Sequence, residues 1–297
     1  MTDLADAVVR AAGLLGVVLL AWLLVARAIV PATVRSAHAS AFAARERALR
    51  PVVAVGALAT WVAAALEPAL TVRALVGSVP PDLYLDFLRD TRAGTGALLR
   101  AACAVAAGAF LLRSAGSERP TSWTDLLAAT VLGAGLFVGF AISGHAAAIP
   151  GPIAVPAATV HQAVATVWIA AVASLVVLPL WTTDRRDALR AATGRVARVA
   201  LASVAVLTAT GAYATTLHVG SWEGLTATPY GAAWWTKMAV VAIVLAIAAV
   251  QRLHHVPAVA SASGPKAGFR RLLAVESVLL ATAFGVTALL ATRPPPH

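Results

Sequence analysis

Eight runs of mostly apolar residues, separated by short polar connections, divide the chain near residues 8–30, 51–70, 94–113, 125–147, 159–181, 197–218, 229–250 and 270–292. A bilayer core of ~30 Å needs ~20 apolar residues per helix, so each run predicts one transmembrane helix. Arg10, Arg27, Arg100 and Lys237 fall inside or at the edges of these windows, and the second run ends in Glu67 and Pro68. The opening MTDLADAVVR carries two acids and one base, and the run behind it lacks a small-residue cleavage pattern. That start is expected to be a retained first helix and not a signal peptide.

Composition agrees with the pattern: 60% of the 297 residues are hydrophobic, 12% are charged, and the mean hydropathy is +0.83. The predicted class is all-α, a polytopic bundle of eight helices in contact with a lipid bilayer. Its orientation follows from where the bases fall. The connections after the first, third, fifth and seventh runs hold Arg35, Arg45, Arg47 and Arg50; Arg113 and Arg119; Arg185, Arg186, Arg190, Arg195 and Arg198; then Arg252, Lys266, Arg270 and Arg271. The one after the second sets Arg73, Arg89 and Arg92 against Glu67, Asp82, Asp86 and Asp90, and those after the fourth and sixth hold no base. Cytoplasmic loops carry the excess of Lys and Arg, so both termini are expected outside. The net charge of +10 then belongs to loops lying on an anionic leaflet, at roughly 1 kcal/mol per charge. No basic cluster is interleaved with exposed aromatics in a soluble domain, and nucleic acid is not an expected partner. With Cys103 as the single cysteine, an intrachain disulfide is excluded.

A repeat is legible. LRDTRAGTGALLR, Leu88–Arg100, and LTATPYGAAWWTK, Leu225–Lys237, share Leu, Thr, Gly and a terminal base at a constant offset of 137. Duplication predicts two four-helix halves, 1–150 and 151–297, running parallel in the membrane. Thr capping and Gly packing at helix starts is the competing explanation.

The histidines do not follow that repeat. His145 is expected to end the fourth helix, His161 to open the fifth and His218 to end the sixth, all at one depth near the outer face. The turn between the first two, SGHAAAIPGPIAVPAATVH, has three prolines and no charge. Neutral imidazole is a good ligand for copper or zinc, and three converging from successive helices would suit either. Singly, each also reads as an interfacial residue bonded to a carbonyl or water. His38, His254 and His255 fall in inner connections, and His297 is the last residue. Trp168, seven residues after His161, shares its helical face and is placed to wall such a site.

Other polar and soft groups have two readings. Lys237 lies ~12 Å below its helix start, either snorkelling outward or fixing a positive charge near a cavity in contact with a carboxylate or an anionic group, and Arg100 has the same alternatives. Glu276 is expected to pair with an inner arginine, and Glu223 to be a solvated charge. Cys103 and Met238 nearly coincide under the repeat; soft sulfur selects Cu(I), so they are either a relay or packing. Trp222, Trp234 and Trp235 suit an interfacial belt. No nucleophile triad, phosphate loop or zinc-protease motif stands at a plausible depth, so no enzyme activity is expected.

The segment VHQAVATVWIAAVASLVVLPL resembles the His-plus-Trp helix of the copper-resistance D (CopD-like) family of bacterial inner-membrane proteins. TGAYATTLHVGSWEGLTATPYGAAWWTKMAVV, and then RRLLAVESVLLATAFGVTALLATRPPP, are similar to that family's characteristic domain, about 190–295; SGHAAA and LRDTRAG also match. The resemblance implies copper movement or delivery at the inner membrane. It makes His145, His161 and His218 the candidate copper ligands, and Trp168, Thr228, Tyr230 and Lys237 motif positions. The chain has no fused copper-binding domain, Met-rich segment or Cys pair, which suggests a separate periplasmic donor. Two other classes fit the same residues: a haem b electron-transfer protein, with paired histidines as axial ligands, and a docking subunit for a periplasmic copper carrier.

Overall fold

Lipid offers no hydrogen bonds to a backbone, so a spanning segment must satisfy its own, and apolar runs of this length do so as helices. The computed structural model describes residues 2–30, 32–37, 39–117, 122–177, 185–219, 222–260 and 268–296. His38, Arg119, Lys266 and His297, and the side chains of Arg185 and Arg186, lie outside the described residues. All the regular elements described are helical: α1 (Thr2–Ile29), α2 (Ala32–Ala37), α3 (Ala39–Ala48), α4 (Arg50–Val76), α5 (Pro81–Asp90), α6 (Arg92–Ser114) and α7 (Trp123–Ile142) come first. A 3-10 turn (His145–Ala148), α8 (Ala154–Val177), α9 (Arg185–His218), α10 (Trp222–Thr226) and α11 (Pro229–Val250) follow. A π-helical turn (Gln251–His255), α12 (Val256–Ala260) and α13 (Phe269–Ala291) complete the order.

Eight of these, α1, α4, α6, α7, α8, α9, α11 and α13, are long and apolar enough to cross a membrane. The chain is a multi-pass membrane protein. Leu58, Val105, Val131, Leu201 and Val278 are all more than half exposed on these helices and form the lipid-facing surface. α4 continues past Pro68 to a left-handed Gly77 (φ 81°). Pro68 leaves the carbonyl four residues back without its donor, and the Tyr84 hydroxyl bonds the next one, Ala65 O, at 3.0 Å.

In the first four spans α1 packs on α4, α4 on α6, and α6 on α7. Small residues bring the first pair together: a Cβ on Gly16 would stand 2.7 Å from Gly56 O, and one on Gly56 2.7 Å from Gly16 O. α1 also packs against α8 and α13, and α7 against α8, which joins the first four spans to the last four. Among the latter α8 packs on α9, and α13 on α11 and α8. α9 and α11 are not packed along their lengths.

The basic connections share one end of the bundle. There the Arg27 guanidinium grips Glu46 of α3 through two 2.7 Å bonds and donates to Ser114 O at 2.7 Å. Glu46 in turn accepts from Gly116 N, and Arg50 donates to Ala115 O. Arg35 lies beside this network, where burial foremost, and then the neighbouring bases Arg27 and Arg195, lower its pKa against the opposing pull of Glu46. His145 and His218 mark the opposite end, held by Arg92 to Ala147 O (2.9 Å) and by Arg293 to Pro229 O.

Candidate metal site

Two helix starts at the histidine end are built alike. The Thr91 hydroxyl accepts from Gly94 N (2.9 Å) and donates to Phe87 O. The Thr228 hydroxyl accepts from Gly231 N (3.0 Å) and donates to Gly224 O. A Cβ on Gly94 would run into Leu88, and one on Gly231 into Leu225, so both positions require glycine for the chain to fold back on the helix start. Each of these residues in the first set matches one in the second at the offset of 137.

At the far end of that pattern the two halves differ. Arg100, 1% exposed, donates Nη1 and Nη2 to the two carboxylate oxygens of Glu67 at 3.0 and 2.8 Å. Arg10 stands 3.5 Å from the same carboxylate, and the Phe140 ring lies 4.4 Å from the Arg100 guanidinium carbon. Buried Arg100 and Glu67 and half-buried Arg10, from α6, α4 and α1, thus pair their charges with one another, as intramembrane ionisable groups usually do. Arg100 does not snorkel: it contacts a carboxylate, as its other reading expected. Lys237, its counterpart on α11, is half-buried, and no described carboxylate pairs with it. The residue in the Glu67 position is Val204.

His145 opens the 3-10 turn after α7, and His218 ends α9. Their rings meet edge to face, with centroids 6.0 Å apart at 67°. Two imidazoles sharing a metal at ~2 Å have centroids roughly 5–6 Å apart, a spacing close to that of this pair.

His161 is placed differently from the expectation. α8 opens at Ala154, not near 159, because Pro156 falls within its first turn, where proline is tolerated. His161 is therefore two turns inside the helix. Its ring lies against Gly211, seven residues before His218 on α9, hence ~10 Å deeper than the pair. Nδ1 is 2.8 Å from Thr210 Oγ1, a hydroxyl that also lies 2.7 Å from Val206 O. With the hydroxyl proton on Val206 O, the imidazole donates from Nδ1 and Nε2 is the ring's basic nitrogen. The Lys237 charge is near enough to act on this ring. No group of three or more His, Cys, Asp or Glu close enough to hold a metal ion occurs among the described residues.

The remaining candidates spread out. Thr228 caps α11 and Tyr230 is buried behind it. Trp168 is buried beside Glu276, deeper than His161. Cys103 faces α7 at Gly135, where a Cβ would meet its sulfur at 2.5 Å; Met238 is half-buried on α11, and α6 and α11 do not pack together. Trp222, Trp234 and Trp235 form an edge-to-face cluster, and Trp234 Nε1 donates to Thr215 at 3.2 Å, tying α11 to α9. Glu276 meets Gln251, whose Nε2 donates at 2.6 Å, and not the arginine expected. Sequence reasoning missed Thr210 and Gln251, which lack any spacing signal, and the Arg10–Glu67–Arg100 triad.

No curated protein and no solved structure matches the chain significantly. Residues 190–290, from α9 into α13, match the family model of CopD, copper resistance protein D, and the matched segment includes His218, Thr228, Tyr230 and Lys237.

Proposed function

We propose that the chain binds copper at the histidine end and moves or delivers it across the bacterial inner membrane. The observation that carries this reading is the His145–His218 ring pair, one member of which lies in the segment that matches the CopD family model. Copper, the cargo, is received by that pair from a periplasmic donor and passes inward to Nε2 of His161, ~10 Å deeper. The histidine end is the periplasmic face, because the excess of bases lies at the other.

The two halves, 1–150 and 151–297, are parallel repeats. Support comes from the matched Thr–Gly helix starts and from the reciprocal contacts of α1 with α13 and of α8 with α7. His145 belongs to the first half and His218 to the second, so the site spans the join, where repeat transporters hold their substrates. The Arg100–Glu67 lock makes the first half a scaffold, and the second half, with α9 and α11 apart, is the working one.

The test is copper uptake by liposomes containing the purified protein. His145→Ala and His218→Ala are expected to abolish uptake and His161→Ala to slow it; unchanged uptake in all three sinks the assignment.

A further inference from the structure

Glu46, Glu67 and Glu276 are the buried carboxylates among the described residues. Glu46 is clasped by Arg27 and Glu67 by Arg100, each through two hydrogen bonds. Glu276, 3% exposed, is held only by the neutral amide of Gln251. A lone carboxylate within the hydrocarbon core is expensive without a compensating cation.

The side chains facing it supply none. From α8 comes Trp168, whose indole N–H is adjacent but makes no hydrogen bond of good geometry. α9 contributes Thr193, whose buried hydroxyl also lacks a partner. Arg252, at the cavity rim, is exposed and donates to Ala197 O (3.5 Å). His255 is packed against Phe269, with centroids 5.6 Å apart, and Arg270 and Arg271 are exposed below. Arg27 of α1 is committed to Glu46.

Glu276 also lines a cavity of about 240 Å³, in the gap where α9 and α11 part, with Thr193 and Gln251 on its walls. That space is large enough to admit water, and Glu276, Gln251, Thr193 and Arg252 are the polar residues on its otherwise apolar walls. Gln251 begins the π-helical turn, a local irregularity common at functional sites.

From this geometry we infer that Glu276 is an exchangeable proton site, loaded and unloaded through the cavity from the basic end. Water there gives a proton to the carboxylate and takes it back; Gln251 holds the carboxyl in both states. The oxygen donors around it, a carboxylate, an amide and a hydroxyl, are hard and do not favour Cu(I). The site is independent of the histidines and stands whether or not they bind copper.

Two measurements test it on the full chain. In infrared difference spectra across a pH titration, one protonated carboxyl in an apolar setting is expected in the wild type and lost in Glu276→Gln. A hydrophobic carbodiimide, which adds to a protonated carboxylic acid to leave an N-acylurea, is expected to label Glu276 less as pH rises and to spare Glu46 and Glu67. An infrared spectrum unchanged by Glu276→Gln, or equal labelling of Glu67, overturns the inference. Protection from labelling by sodium or potassium ions at constant pH overturns the proton assignment in favour of an alkali cation.

Discussion

Arg100 and Glu67 face each other across α6 and α4 as a two-bonded pair, at 3.0 and 2.8 Å, with Arg10 3.5 Å from the same carboxylate. Removing the shared carboxylate leaves two guanidiniums in lipid with no counter-charge. Glu67→Gln is expected to lower stability by about 3–5 kcal/mol, the cost of breaking a buried pair by one partner. Lys237→Met, which breaks no pair, is expected to cost far less. Chemical denaturation in detergent measures both, and similar losses would contradict the contrast between the halves.

The paired helix starts make a second comparison. Thr91→Ala and Thr228→Ala each remove a cap and should cost ~1 kcal/mol. Gly94→Ala and Gly231→Ala set a methyl against backbone, of Leu88 and Leu225 respectively, and are expected to cost more than the cap variants and similarly to each other. Thermal midpoints of the four proteins check this, and a well-tolerated Gly231→Ala would refute the close approach.

Thr210 orients His161 through Nδ1. Loss of such an orienting partner typically costs 10–100-fold in metal affinity or activity. Thr210→Val is expected to slow copper uptake by that factor with little change in stability, while Thr210→Ser keeps the rate. Equal rates for all three proteins would mean the hydrogen bond only packs the helices.

If the imidazoles held haem, purified protein from haem-replete cells would show a Soret band. The copper reading expects none, and a stoichiometric band abolished by His145→Ala would replace it.

The eight spans were legible because lipid demands long apolar runs, and the constant offset of 137 pointed to two helix starts that share one geometry. Depth was less legible. Pro156 looks like a helix break but sits in the first turn of α8, and that lowers His161 below His145 and His218. Pairing was least legible, since Arg10, Glu67 and Arg100 come from three helices. A signal existed nonetheless: ionisable residues inside apolar windows must find partners, and in the first half Glu67 was an acid beside the bases Arg10, Arg27 and Arg100. Glu276 was expected to follow the same rule with an arginine, and Gln251 stands there instead.

The most direct test of the central claim is equilibrium copper binding to the purified protein, wild type beside the His145→Ala/His218→Ala double variant. One copper per chain, bound at least a hundredfold more weakly by a double variant of unchanged thermal midpoint, is the result the paired rings predict. Equal affinity and stoichiometry in the two proteins would contradict it.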